Sequence, residues 1–269
     1  MEKVLPLLLI IGTLAAGILS IPLGSVPIPL EYIFAPEKAP EYMRIIIFNL
    51  RLPRIVMAVL IGMMLSSSGA VVQTVFQNPL ADPYIIGIAA SATFGAVIAF
   101  VFGMPDFMYG IIAFITCLIS TLMIFKMAKK GNKVNVATLL IVGIAVSSFL
   151  GAFTSFAMYM IGEDSFKITM WMMGYLGNAT WKRVVFILIP LIFSVGYFYS
   201  KRNQLDALLS GDEEAHSLGV DVNRLKVKVL TVSALIVAFS VAFSGMIGFV
   251  GLIIPHTIRM IVGPSNTKM

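Results

Sequence analysis

Long uncharged apolar stretches, separated by short polar breaks, set the rhythm of this chain. Runs without Asp, Glu, Lys, Arg or His occupy Val4–Ile21, Ile55–Phe76, Tyr84–Pro105, Phe107–Phe125, Val136–Gly162, Val184–Ser200 and Val229–Val250. Each is close to or beyond the length a helix needs to cross a hydrocarbon core about 30 Å thick. A last run, Gly251–Gly263, contains Pro255, His256 and Arg259 and is too short for an ordinary complete crossing. The pattern predicts an all-α polytopic transmembrane helix bundle with seven long spans plus one short eighth helix, in a single domain over residues 1–269. Val4–Ile21 is longer than the apolar core of a signal peptide, about 7 to 15 residues, and reads as a retained first span. Pro22–Pro40 carries five prolines and reads as an ordered external loop.

The polar breaks differ in character. Gln77-Asn78-Pro79-Leu80-Ala81-Asp82-Pro83 contains two prolines and one carboxylate. It is either a tight connector outside the membrane or irregular backbone at membrane depth, which is tolerated only where protein or a water-filled cavity surrounds it. Small residues recur at four-residue spacing in two spans, as Gly62, Ser66, Ala70 and Thr74 and as Gly143, Ser147, Gly151 and Ser155. Each set forms a smooth stripe that suits close helix packing or a pore lining.

The most charged break is Ser210–Lys228, with seven charged residues in nineteen positions. Ser210 followed three residues later by Glu213 has the form of a capping box, so a short helix is expected to open there. Asp212, Glu213 and Glu214 fall in its first turn, where the helix dipole favours carboxylates, and Gly219 suits its left-handed end. Leu208, Leu209, Ala215 and Leu218 give the segment an apolar side. Residues about 205–226 are therefore either a solvated loop or a docking helix for a soluble partner.

Composition excludes several classes. At 59% hydrophobic residues and a mean hydropathy of +0.97, the chain is too apolar for a soluble domain. Its charge of +6 is read by topology before nucleic acid is invoked. A cytoplasmic N-terminus puts twelve basic residues inside and seven outside, which the positive-inside rule favours. The seven long runs hold no titratable side chain for an internal proton relay, although a sodium site of carbonyls and hydroxyls remains open. His216 and His256 lie on different segments, with no HExxH, no paired carboxylates within a span and no nucleophile elbow, so an enzyme is not expected. Cys117 has no internal disulfide partner.

RLPRIVMAVLIGMMLSSSGAVVQTVFQNPLADPYIIGIAASA, residues 51 to 92, resembles the signature region of the FecCD-type permeases of ABC importers, which take up iron siderophores, haem or cobalamin. The likeness continues through Trp171-Met172-Met173-Gly174, Gly211-Asp212-Glu213-Glu214-Ala215 with Leu218-Gly219, and Gly248-Phe249-Val250-Gly251-Leu252-Ile253-Ile254-Pro255-His256. It implies a multi-pass cell-membrane permease that pairs with a second copy of itself amid membrane lipid. Two cytoplasmic ATPase subunits and an external substrate-binding protein complete the implied assembly, with no nucleic acid. ATP and magnesium would sit on the ATPase, and no cofactor on this chain.

The resemblance also implies roles. Gly211, Asp212, Glu213, Glu214, Ala215, Leu218 and Gly219 become the coupling segment, with the apolar Ala215 and Leu218 meeting the ATPase. Arg51 and Arg54 match arginines that meet carboxylates of the binding protein, the other reading being that they anchor a span at the headgroups. Gly143, Ser147, Gly151 and Ser155 match a helix that lines the translocation path, and no metal site is implied. Members of that family usually carry two more spans than are counted here, and those contribute to the dimer interface and to external docking. The alternative function is a sodium-coupled or passive transporter without an ATPase partner, against which the charged cytoplasmic helix argues. The sequence has no GxxxxGK[ST] loop to cradle phosphates. The purified chain alone is expected neither to bind nor to hydrolyse ATP, and saturable nucleotide binding would overturn that expectation.

Overall fold

The computed structural model describes residues 4–130 and 133–266. Lys3 and Lys268, counted above among the inner cations, lie outside them. The helices are α1 Val4–Ser20, α2 Glu31–Phe34, α3 Glu41–Ile45, α4 Leu52–Phe76, α5 Ile88–Val101, α6 Phe107–Ala128 and α7 Val136–Ile161. They continue as α8 Ser165–Met172, α9 Trp181–Ser200, α10 Arg202–Leu209, α11 Asp212–Ser217, α12 Val222–Ser244 and α13 Val250–Val262. Between α6 and α7 a minimal hairpin pairs Lys129–Lys130 (β1) with Lys133–Val134 (β2). A π-helical stretch, Ile46–Arg51, joins α3 to α4 without a break.

Among the described residues, five helical segments are long and apolar enough to cross a membrane: Glu41–Phe76, α6, Val136–Met172, α9 and α12. The other apolar helices are shorter, with 17 residues in α1, 14 in α5 and 13 in α13, so the expected seven long spans are matched by five long segments and three shorter apolar helices. An apolar run counts side chains, whereas a helix also needs an unbroken backbone ladder. Turns from Pro83 to Gly87 delay α5 until Ile88, although the apolar run begins at Tyr84. In α12 the reverse happens. The Asp221 carboxylate accepts a hydrogen bond from the Arg224 N–H at 3.0 Å, so the helix starts before the apolar run and carries Arg224, Lys226 and Lys228 in its first turns.

Helices α4 and α12 form the axis of the bundle, with 50% and 56% of their most apolar windows buried, against 22% for the segment containing α7. The Ser68 and Ser233 hydroxyls pair between them. α6 and α9 also pack on α12, and α13 packs on α4. A Cβ on Gly69 would lie 1.7 Å from the Gly251 carbonyl oxygen, and one on Gly251 would lie 2.4 Å from the Pro83 ring. Gly251 also approaches the Leu65 carbonyl, near the middle of α4, so Pro83 and the start of α13 sit level with the middle of that helix. The segment Gln77–Gly87 therefore climbs back into the bundle. The stretch Gly245–Phe249 descends to the same level from the outer end of α12.

Both irregular stretches satisfy their polar groups within the protein. Leu80 N–H bonds the Asn78 side chain at 2.9 Å, Tyr84 N–H bonds Asp82 at 2.7 Å, and the Tyr84 hydroxyl reaches the Ile247 carbonyl at 3.4 Å. The two readings of Gln77–Pro83 divide the segment: Gln77–Leu80 is an exposed tight connector, and the backbone becomes enclosed by protein from Ala81 to Pro83, both of which are buried. The Gly69 contact is backbone against backbone, so no rotamer change can relieve an added methyl. Gly69→Ala is expected to destabilise the purified protein by about 1 to 3 kcal/mol, read by thermal unfolding in detergent. Gly62→Ala, with nothing within 4 Å of its added Cβ, should leave the transition unchanged.

Candidate functional site

The polar segment after α9 folds into a compact helical block. α10 is an additional helix that the charge pattern did not announce; its Leu205 and Leu208 are buried. Ser210 is the residue that closes α10, with its N–H on the Ala207 carbonyl, and Gly211 opens α11 without a side-chain cap. The expected capping box on Ser210 is therefore corrected. The chain turns so sharply at Gly211, φ 124°, that Ser210 still belongs to the helix before. α11 itself spans Asp212–Ser217 as anticipated, with Asp212, Glu213 and Glu214 in its first turn. It ends as Gly219 enters the left-handed region at φ 82°, with Gly219 N–H on His216 O and Val220 N–H on Ala215 O.

Within this block the two apolar residues part company. Ala215 is fully buried in the chain's own core, whereas Leu218 is 71% exposed. The reading of Ala215 as an outward contact is thus corrected, because its methyl faces the bundle and leaves Leu218 as the outward apolar side chain of the α11 end. Asp212 holds the Lys226 ammonium on α12 at 2.5 to 2.7 Å, with the lysine 8% exposed. A buried ammonium requires such a partner, since an unpaired charge is costly to desolvate. A cleft of about 430 Å³ lies alongside, lined by Asp212, Glu213, His216, Asp221 and Lys226 among others.

The block is also fastened to the far end of the chain. Gln77 donates to the Leu208 carbonyl at 2.7 Å. Asp206 accepts from the Ser265 hydroxyl at 2.7 Å, from the Asn266 amide at 3.0 Å and from the Asn266 N–H. The Arg259 guanidinium on α13 reaches Ala70 O, Thr74 Oγ1 and Asn266 Oδ1 at 3.0, 2.7 and 2.9 Å. Asp206, Lys226 and Arg259 were not singled out as site residues. In sequence they are ordinary charges near helix ends, and nothing local marks them as partners.

On the opposite face, Arg51 and Arg54 separate. Arg51 points back to the Ile21 and Val26 carbonyls and clasps the loop after α1. Arg54 is exposed and has no ion-pair or hydrogen-bond partner among the described residues. The Trp181 indole donates to the Phe48 carbonyl at 2.8 Å and closes the same rim.

A family model described as the FecCD transport family matches residues 9–269. The chain belongs to the FecCD transport family. It is 39% identical over 230 residues to a cobalamin import system permease protein of Halobacterium salinarum, covering 84% of this chain and 62% of that protein. It is 36% identical over 225 residues to a hemin transport system permease protein of Yersinia pestis, covering 81% of this chain and 67% of that protein. The chain thus spans about three fifths of the cobalamin permease's length. A metal-chelate type ABC transporter solved in an inward-facing conformation matches its fold with a TM-score of 0.86 at 29% identity, over 100% of this chain and 84% of that one.

In this FecCD chain the stripe on α7 divides along its length. Gly143 is buried against Ile85 and Ile86, and Ser147 lies close to Gly87 while its hydroxyl caps the Gly143 carbonyl at 2.7 Å. Gly151 has nothing within 4 Å of an added Cβ, and Ser155 is exposed. The lower half of the stripe is helix packing, and the upper half faces open space. The clasp by Arg51 carries a prediction. Arg51→Ala leaves the Ile21 and Val26 carbonyls without that charged donor, at about 1.5 to 3 kcal/mol for bonds to a charged group. Faster proteolysis within residues 21–35 is the expected sign, and Arg54→Ala should not produce it.

Proposed function

We propose that this chain is the membrane-spanning permease subunit of an ATP-driven importer of metal chelates of the iron-siderophore, haem or cobalamin class. The observation that carries the reading is the α10–α11 block: a rigidly anchored pair of short helices that leaves Leu218, Glu213 and Glu214 exposed beyond the bundle. A polar segment fixed this firmly, yet presenting an apolar side chain to solvent, suits a partner that supplies the missing cover. The relatives named above are import permeases, and this supports an ATPase as that partner. ATP and magnesium would be held on the ATPase, and this chain would contribute no cofactor ligand.

The remaining assignments follow the same reading. α1, α5 and α13 cross together with the five longer segments, which gives eight passes and a cytoplasmic N-terminus. That orientation puts the block inside the cell, where the ATPase subunits are, and Arg54 outside, where a substrate-binding protein docks. Arg51 acts there by shaping the rim. A second copy of the chain faces Gly151 and Ser155, so that the open half of the α7 stripe borders the path between two subunits.

The test separates Leu218 from its neighbours. Leu218→Asp places a charge where the ATPase needs an apolar contact, and retention of the ATPase on the solubilised permease should fall at least tenfold, with membrane insertion unchanged. Ser210→Ala should alter neither retention nor stability, since Ser210 caps no helix start. Retention unaffected by Leu218→Asp would refute α11 as the docking element.

A further inference from the structure

The α10–α11 block does more than present a surface, because two of its carboxylates hold opposite ends of a single hairpin. Asp212 binds Lys226, which lies in the second turn of α12. Asp206 binds Ser265 and Asn266, which directly follow α13. α12 and α13 are joined by Gly245–Phe249, a bend whose first three residues pack against Trp171, Gly174 and Tyr84 and whose last two stand open. Phe249 adopts a left-handed conformation at φ 67° and is 69% exposed, while Gly248 has no neighbour within 4 Å of an added Cβ. A bulky residue in that backbone region is a site of stored strain, of the kind found where a segment has two arrangements.

We propose that Asp206 and Asp212 are positioning residues that transmit displacement of the coupling block to both cytoplasmic ends of the α12–α13 hairpin, so that its bend is the element that moves with the nucleotide cycle. This rests on the reading that α11 receives the ATPase. The two attachments have different chemistry. The Asp212–Lys226 pair is an ion pair with its ammonium buried, whereas Asp206 gathers neutral donors from Ser265 and Asn266. The latter tie continues through Asn266 Oδ1 to Arg259 and Thr74, so α13 is fixed to α4 at the same point. α4 serves as the fulcrum: it packs against both arms of the hairpin and meets α13 at the Gly69–Gly251 contact. A shift at the block has a path to the bend along α12 on one side and, through the Gly263–Asn266 tail, along α13 on the other.

The test uses the permease co-purified with its ATPase in vesicles, with Cys117→Ser as background and Phe249→Cys as reporter. Labelling by a small maleimide is compared with no nucleotide and with ATP and vanadate. In the parent complex the labelling rate should change at least fivefold on trapping. In Asp206→Ala and Asp212→Ala the change should be lost, with labelling read only on the fraction of permease that retains its ATPase. The paired exchange Asp212→Lys with Lys226→Asp rebuilds the ion pair with reversed sign and should restore the response, which a loss of folding would not allow. A response that persists in either single variant, or is absent from the parent complex, overturns the proposal. Failure of the docking reading is seen separately, as an ATPase that Leu218→Asp does not release.

Discussion

Backbone amides and carbonyls inside a bilayer have no water to turn to, and this constraint governs where the chain is allowed to stop being helical. Two such stops occur, at Pro83–Gly87 and Gly245–Phe249, and they converge where Pro83 meets Gly251 and Gly251 meets Leu65 and Gly69 of α4. They fit there because Gly69 and Gly251 bring two backbones closer than any side chain would permit. The freed polar groups are then met locally by Asn78, Asp82 and Tyr84. α4 is accordingly lined with small residues and hydroxyls where a lipid-facing helix would carry leucine.

The same constraint explains the polar node around Arg259 at the α10–α11 end of the bundle. Arg259 enters the bundle near the end of α13, where its guanidinium must find acceptors. It finds the Ala70 carbonyl, the Thr74 hydroxyl and the Asn266 amide oxygen. Asn266 in turn meets Asp206, which lies on the helix leading to α11. A charge that had to be satisfied for reasons of solvation thus becomes a fastening between the membrane helices and the exposed block.

The helical character of the chain and the charged segment between its later long helices were legible in hydropathy and charge. α11 and the left-handed Gly219 follow from local rules that act within a few residues. Span lengths were less legible, because a run of apolar side chains says nothing about whether Tyr84–Gly87 is helical, and that depends on Pro83 meeting Gly251 far along the chain. Ser210 misled for a related reason: its spacing to Glu213 fits a cap, but the helix before it extends one residue further than the pattern suggests. The inward turn of Ala215 and the partners of Asp206 and Lys226 depend on tertiary approach, and no spacing rule reaches that far. The family resemblance singled out Gly211–Gly219 as a unit but left open which of its side chains face outward.

α1 has no buried residue, and Gly17 comes only to ordinary van der Waals distance of Ile55. Its firmest attachment is at one end, through the carbonyls of Ile21 and Val26 that Arg51 holds. The first helix is therefore moored where the bundle's other helices are wedged. Lipid chains reach nearly all of its circumference, and its tilt answers to bilayer thickness rather than to the protein core. The rim of the outer face is built on the same clasp. In a thinner or thicker membrane that edge would therefore be inclined differently, while the interior around α4 and α12 kept its shape.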